Sequence, residues 1–166
     1  RLKKRQGRVI IEKANNNLDM FEEMKTASLL AKFSNLNAAS LDAWSVCKMA
    51  TSLGAKALGM QDKIGSLETG KQADMIVVNT ATPRMTPLIK EGQLFNLHHN
   101  LVHAVQGQDV VMTMVAGQTL VKNGQLLNAD LQKLIDDVNM AAPKLFKRRA
   151  TWLAQSGTSV NELQRI

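Results

Sequence analysis

The chain holds one cysteine, Cys47, in 166 residues. No internal disulfide can form, and a thiolate-rich zinc site is excluded. No apolar run approaches the ~18 residues needed to span a bilayer. The start shows no signal-peptide succession of charged, apolar and small residues, so the chain reads as cytoplasmic. Aromatic residues make up 4% of the chain, and none interleaves the bases at its N-terminal end, so the stacking platform of a single-strand nucleic-acid binder is missing. A Gly-rich phosphate loop, a GxSxG elbow and an HExxH helix are also missing. What is present is a globular composition, 45% hydrophobic and 21% charged. A chain of this length can bury roughly two-thirds of its unfolded surface, which excludes disorder throughout.

The positive charge is unevenly placed. Of the formal +7, residues 1–13 (RLKKRQGRVIIEK) carry +5, from Arg1, Lys3, Lys4, Arg5, Arg8 and Lys13 against Glu12. Such an arm can contact phosphates or an anionic membrane surface. A solvated or foreign strip is the favoured reading, and the opening on Arg1 rather than Met is read as truncation. A second cluster, Lys144, Lys147, Arg148 and Arg149, falls late in a predicted helix, where it complements the helix dipole or forms a solvent face.

Periodicity predicts the elements. A helix capped by Asn16 or Asn17 places Asp19, Glu22 and Glu23 at its positive end and spaces Leu18, Phe21, Met24, Ala27 and Ala31 along one face. Ser40 is predicted to cap a second helix, with a stripe of Ala43, Val46, Cys47, Ala50 and Leu53 ending at Gly54. Helix gives way to sheet near residue 62, with Met75–Val78 as a buried strand and a looser connection around Pro83 and Pro87. Residues 110–115 and 119–121 form a hairpin through Ala116-Gly117, and Asn123-Gly124 makes a further turn. A final helix carries Leu131, Leu134, Ile135, Val138 and Leu145, with Pro143 expected to kink or restart it and a frayed tail after Gln155.

Few residues suggest chemistry. His99 and His103 would share a face if helical, and with His98 they have a spacing that suits a metal; the nearest acids, Glu91 and Asp109, stand well away in sequence, which favours surface or interface histidines. Cys47 faces packing, with only Lys48 nearby to activate it. The pairs Glu22-Glu23 and Asp136-Asp137 point about 100° apart on predicted helices, as solvent-facing charges rather than a shared acid–base site.

Residues 49–78, MATSLGAKALGMQDKIGSLETGKQADMIVV, resemble the C-terminal signature of the amidohydrolase superfamily. NNNLDMFEEMKTASLLAK at 15–32 and NLVHAVQGQDVVMTMVAGQTLVKNG at 100–124 are similar to segments of its methylthioadenosine/S-adenosylhomocysteine deaminases and chlorohydrolase relatives. The likeness covers about residues 15–150. Physically, Gly65 and Gly70 permit tight turns, and Asp74 can accept backbone N–H bonds at a strand entrance. The resemblance implies an α/β fragment: C-terminal helices of a (β/α)8 metal-dependent hydrolase barrel plus part of a flanking small β-sandwich. It divides the chain into a basic, non-matching arm (1–14), barrel-tail helices (15–61), a partial sandwich with its connecting segment (62–127) and a C-terminal helix and tail (128–166).

Family members hydrolyse C–N bonds with a metal, usually zinc, held by histidines and an aspartate in a "TDG.ASNN" motif. The count back from Asn15 puts Ile10 at that aspartate's place, and a complete barrel needs about 250 residues. The resemblance therefore implies no metal ligand and no catalytic residue in this chain, with Asn15, Asn16 and Asn17 as substrate-side residues or N-caps. It implies a fragment of an aminopurine deaminase-like enzyme, inactive alone, from a truncated or frameshifted gene. The intact family would use zinc or another divalent metal, a small purine-like substrate and a homo-oligomeric assembly. The expected partner is the missing N-terminal barrel half. The alternatives are a non-catalytic interaction module pairing with such a half, and nucleic-acid binding through residues 1–13.

Overall fold

The computed structural model describes residues 18–156, arranged as two units, Arg1–Gln125 and Leu126–Ile166. The basic arm and Ile10 lie outside the described residues, as do Asn15, Asn16 and Asn17.

Helix α1 spans Met20–Asn35 and starts later than predicted, because Asp19 takes the capping role: its carboxylate accepts from the Phe21 N–H at 2.9 Å. Leu18 therefore precedes the helix and is exposed, while Phe21, Met24 and Ala27 are buried as their spacing requires. Glu22 is exposed, but Glu23 turns toward the buried side and leaves its Oε1 buried with no hydrogen-bond partner among the described residues. That corrects its reading as a solvent-facing charge.

Helix α2, Ala43–Ala50, is capped by Asp42 rather than Ser40. The Asp42 carboxylate accepts from both the N–H and the hydroxyl of Ser45, at 3.0 and 2.7 Å, whereas the Ser40 carbonyl accepts from Lys32 Nζ at 2.9 Å. The helix breaks at Thr51, whose hydroxyl donates to the Cys47 carbonyl at 2.8 Å, and resumes as α3, Ser52–Ala57. Gly54 thus lies inside a helix instead of ending one, and Leu53 turns out to solvent. A Cβ at Gly54 would stand 2.8 Å from the Met49 carbonyl oxygen, so only glycine permits the break to fold this tightly. Gly65 meets the same limit: φ is +93°, and a Cβ would fall 2.5 Å from the Ala55 Cβ.

Strands β1 (Met75–Val78), β2 (Val110–Val115), β3 (Gln118–Lys122) and β4 (Gln125–Leu126) form one sheet in that order, antiparallel at β1–β2 and β2–β3. The predicted hairpin turns at Ala116-Gly117, both at positive φ, and Asp74 accepts from the Ala116 N–H at 2.6 Å. Strand β1 is not buried: Ile76 and Val77 are 49% and 44% exposed. It is an edge strand, with only β2 beside it among the described residues.

The connection around Pro83 and Pro87 is more ordered than expected. A 3-10 turn, Pro83–Met85, and helix α4, Leu97–His103, pack against α1 and α2. Asn96 and Asn100 brace it, donating to the carbonyls of Pro87 (3.0 Å) and Met85 (3.3 Å). Met85 and Val102, both fully buried, join Val46, Phe21, Met24 and Val105 in the core. At the corner leading into β2, Asp109 accepts from Arg84 at 2.6 Å and from the Gln106 N–H at 2.9 Å, while Asp19 accepts from the Gly107 N–H at 2.8 Å.

In the second unit, Asp130 accepts from the Lys133 N–H at 3.0 Å and starts α5, Leu131–Ser156. Pro143 lies inside this helix, so the expected restart does not occur. Leu153 is its buried residue. Beyond Ser156 the tail lies outside the described residues. Among the described residues no helix is long and apolar enough to cross a membrane.

Gly65→Ala should cost more than about 1 kcal/mol, because strain at positive φ adds to the clash with α3; an unchanged urea midpoint would contradict this. Asp109→Ala should cost about 1.5 kcal/mol by removing the buried acceptor of Arg84 and of the Gln106 N–H. A loss below ~0.5 kcal/mol in the same assay would show that the corner does not depend on the pair.

Candidate functional site

Two places in the first unit gather polar and aromatic side chains. The first is the N-terminal face of α2 and α4. His98 stacks on Phe95 (ring centroids 5.5 Å, 17° between planes) and meets the Trp44 edge at 6.0 Å, with His99 4.2 Å away. Lys48 Nζ stands 5.9 Å from the Trp44 ring. Trp44 is 55% exposed, and the His98 Nδ1 is buried with no hydrogen-bond partner among the described residues.

The second is a cleft of about 430 Å³ between the start of α1 and the end of α4, lined by Asp19, Glu22, Lys25, His103, Gln106 and Gln108 among others. Asn15, Asn16 and Asn17, the residues selected from the sequence, lie outside the described residues and are not placed at the cleft. Sequence reasoning missed the cleft because its walls, α1 and residues 103–108, are far apart in the chain. The one available signal was Gly107-Gln108-Asp109 ahead of a β-rich run.

The three histidines do fall on one helix, α4, as the i, i+4 spacing of His99 and His103 allowed. They do not form a metal site. Among the described residues no group of three His, Cys, Asp or Glu side chains could hold a metal. Burial pushes the His103 pKa down, and the positive charges of Lys32 and Lys25, with His99, push it further. A site crowded by ammonium groups repels a cation, so the histidines present do not fit the zinc that the resemblance implies. Cys47 is half-buried; burial raises its pKa and the Asp42 carboxylate raises it further, which keeps it a thiol.

The helices and the four-stranded sheet form an α/β arrangement that known proteins share. The description "Amidohydrolase family" matches residues 7–120, and the chain belongs to that family. The match begins at residue 7, ahead of the onset expected near residue 15, so part of the stretch read as foreign to the family falls within it. The chain is 44% identical over 135 residues to the 5'-deoxyadenosine deaminase of Methanosarcina mazei, covering 81% of this chain and 29% of that one. To 5-methylthioadenosine/S-adenosylhomocysteine deaminase 1 of Syntrophus aciditrophicus it is 35% identical, covering 80% of this chain and 28% of that one. A crystal structure of an adenosine deaminase from Xanthomonas campestris with bound zinc superposes with a TM-score of 0.70 at 31% identity, covering 77% of this chain and 28% of that one. The chain therefore spans under a third of the length of these relatives.

His103 should titrate below the ordinary histidine value in an NMR pH series, and Lys32→Met should move it up. Because the fold favours neutral His103, the unfolded chain binds the proton first as pH falls. The stability it contributes is present at neutral pH and is lost as pH drops below the ordinary value of about 6.5. A His103 midpoint at or above that value would contradict the assignment.

Proposed function

We propose that this chain is the C-terminal part of a metal-dependent amidohydrolase that removes an amino group from an aminopurine nucleoside. On this reading it contributes barrel-tail helices and part of the small β-sandwich. The metal ligands and most of the substrate pocket come from a barrel portion outside this sequence, and the chain alone is inactive. Zinc, as in the Xanthomonas campestris enzyme, is the metal proposed for the intact assembly.

The observation that carries this reading is α1, which is apolar on two faces. One face packs into the core through Phe21 and Met24; the other leaves Leu29, Leu30 and Phe33 between 51% and 76% exposed. A helix apolar on two faces belongs between two layers, as a barrel helix does, and the second layer is the proposed barrel portion. The names of the relatives support an adenosine-type substrate, and their greater length supports a site completed by residues that this chain lacks. The interaction-module reading rests on the same exposed face and differs only in assigning the module no share in catalysis.

The test is ammonia release from 5'-deoxyadenosine, with zinc added, by the full 166-residue chain. It is repeated after co-expression with the N-terminal portion of the Methanosarcina mazei enzyme. The chain alone should release none, and the pair should co-purify and release it. Deamination by the chain alone would overturn the proposal. Co-purification without activity would favour the non-catalytic module.

A further inference from the structure

The basic cluster of α5 has no structural role in the helix that carries it. Positive charge complements a helix dipole only within the last turn, and the last turn of α5 holds no base: Lys144, Lys147, Arg148 and Arg149 stand about two turns or more before its end at Ser156. Neither salt bridge among the described residues involves any of the four, and residues 138–156 contain no Asp or Glu. Lys144 neighbours Lys147 at i, i+3 and Arg148 at i, i+4, so their like charges oppose the helix rather than support it. At 3.6 residues per turn, Lys147, Thr151, Lys144, Gln155, Arg148 and Trp152 follow one another around an arc of about 140° and along about 16 Å of helix. All six are exposed, Trp152 at 57%, and they line an open groove of about 710 Å³. Arg149 falls outside the arc, on the apolar side with Leu145. Asp136 and Asp137, about two turns before Lys144, end the basic stretch on that side.

We propose that this arc of α5 binds single-stranded nucleic acid. Charge complementarity selects a polyanion: Lys144, Lys147 and Arg148 face outward together without a counter-ion, and phosphates that reach them release their own condensed cations. The Gln155 amide adds a neutral donor, while the Thr151 hydroxyl is taken up by the Lys147 carbonyl at 3.1 Å. Trp152 narrows the polyanion to one that carries flat rings. Its indole lies one turn beyond Arg148 at the border of the basic arc, where an unpaired base can stack on it while its phosphate meets the guanidinium. This is the stacking platform that residues 1–13 lack. In a duplex the base faces are covered, so the indole gains nothing there. An anionic bilayer fits the geometry less well. A helix lying on it by the strip of Leu131, Leu134, Ile135, Val138 and Leu145 would turn Lys144 and Lys147 about 120° and 180° from the middle of that strip, away from the headgroups. The inference goes beyond the deaminase reading, which uses none of these side chains.

Fluorescence anisotropy of a labelled oligothymidylate, roughly 15 nucleotides long, titrated with the full chain at several salt concentrations tests this. The chain should bind, more weakly as salt rises. Lys144→Gln, Lys147→Gln and Arg148→Gln together should weaken binding at least ~10-fold at low salt and flatten the log–log salt slope by about 2, the share of three phosphates on a single strand. Trp152→Leu should weaken binding ~5-fold or more and leave the slope unchanged, because stacking releases no counter-ions. Both effects should persist when Arg1, Lys3, Lys4, Arg5 and Arg8 are all replaced by Gln. Circular dichroism identifies variants that keep their helix. A chain that does not bind the oligonucleotide at low salt overturns the proposal. So does a helical triple variant that binds as tightly as the original, or a Trp152→Leu change without effect. Loss of all binding on neutralising the arm overturns it in favour of residues 1–13. Preference for phosphatidylserine vesicles over the oligonucleotide overturns it in favour of a membrane surface.

Discussion

Two carboxylates fix one corner on which the first unit depends. Asp109 holds Arg84 and the Gln106 N–H, and Asp19 holds the Gly107 N–H while capping α1. Together they tie three segments that are distant in sequence: the start of α1, the Pro83–Met85 turn and the entry to β2. With these in place, Met85, Val102 and Val105 enter the core beside Phe21 and Val46, and β2 leaves at the position that lets β1 pair with it. A buried charge is expensive unless it is paired and hydrogen-bonded, and Asp109, nearly fully buried, meets both conditions.

Local signals made much of this legible in the sequence. The spacing of Phe21, Met24 and Ala27 gave α1, and Ala116-Gly117 between β-rich runs gave the hairpin. Asp74 was readable as a backbone acceptor because it immediately precedes an apolar strand. What stayed hidden depends on contacts across the chain. Helix α4 has seven residues, too few for periodicity to declare it, and it forms because Leu97, Leu101 and Val102 find a surface on α1 and α2. The caps were misplaced by a few residues because Asp19 and Asp42 compete with nearby Asn and Ser, and a carboxylate wins where it also reaches a second donor. Gly54 looked like a helix stop, but its role is close approach, which only the packed α2–α3 junction reveals.

The candidate site was legible to a lesser degree. The histidine spacing left open whether His99 and His103 share a helix, which α4 decides, and the electrostatics against a cation stayed hidden because Lys25 and Lys32 arrive from α1 rather than from the neighbouring sequence. Gly65 brings its turn close against Ala55 of α3, and Asp74 anchors the hairpin at the sheet entrance.

The central claim is that the catalytic metal of this family is gripped by residues that this chain does not carry. Equilibrium dialysis of the full chain against zinc, followed by elemental analysis, tests it most directly. The account predicts bound zinc well below one ion per chain and unchanged when His99 and His103 are replaced by Ala. One tightly held zinc per chain, lost on those replacements, would contradict it.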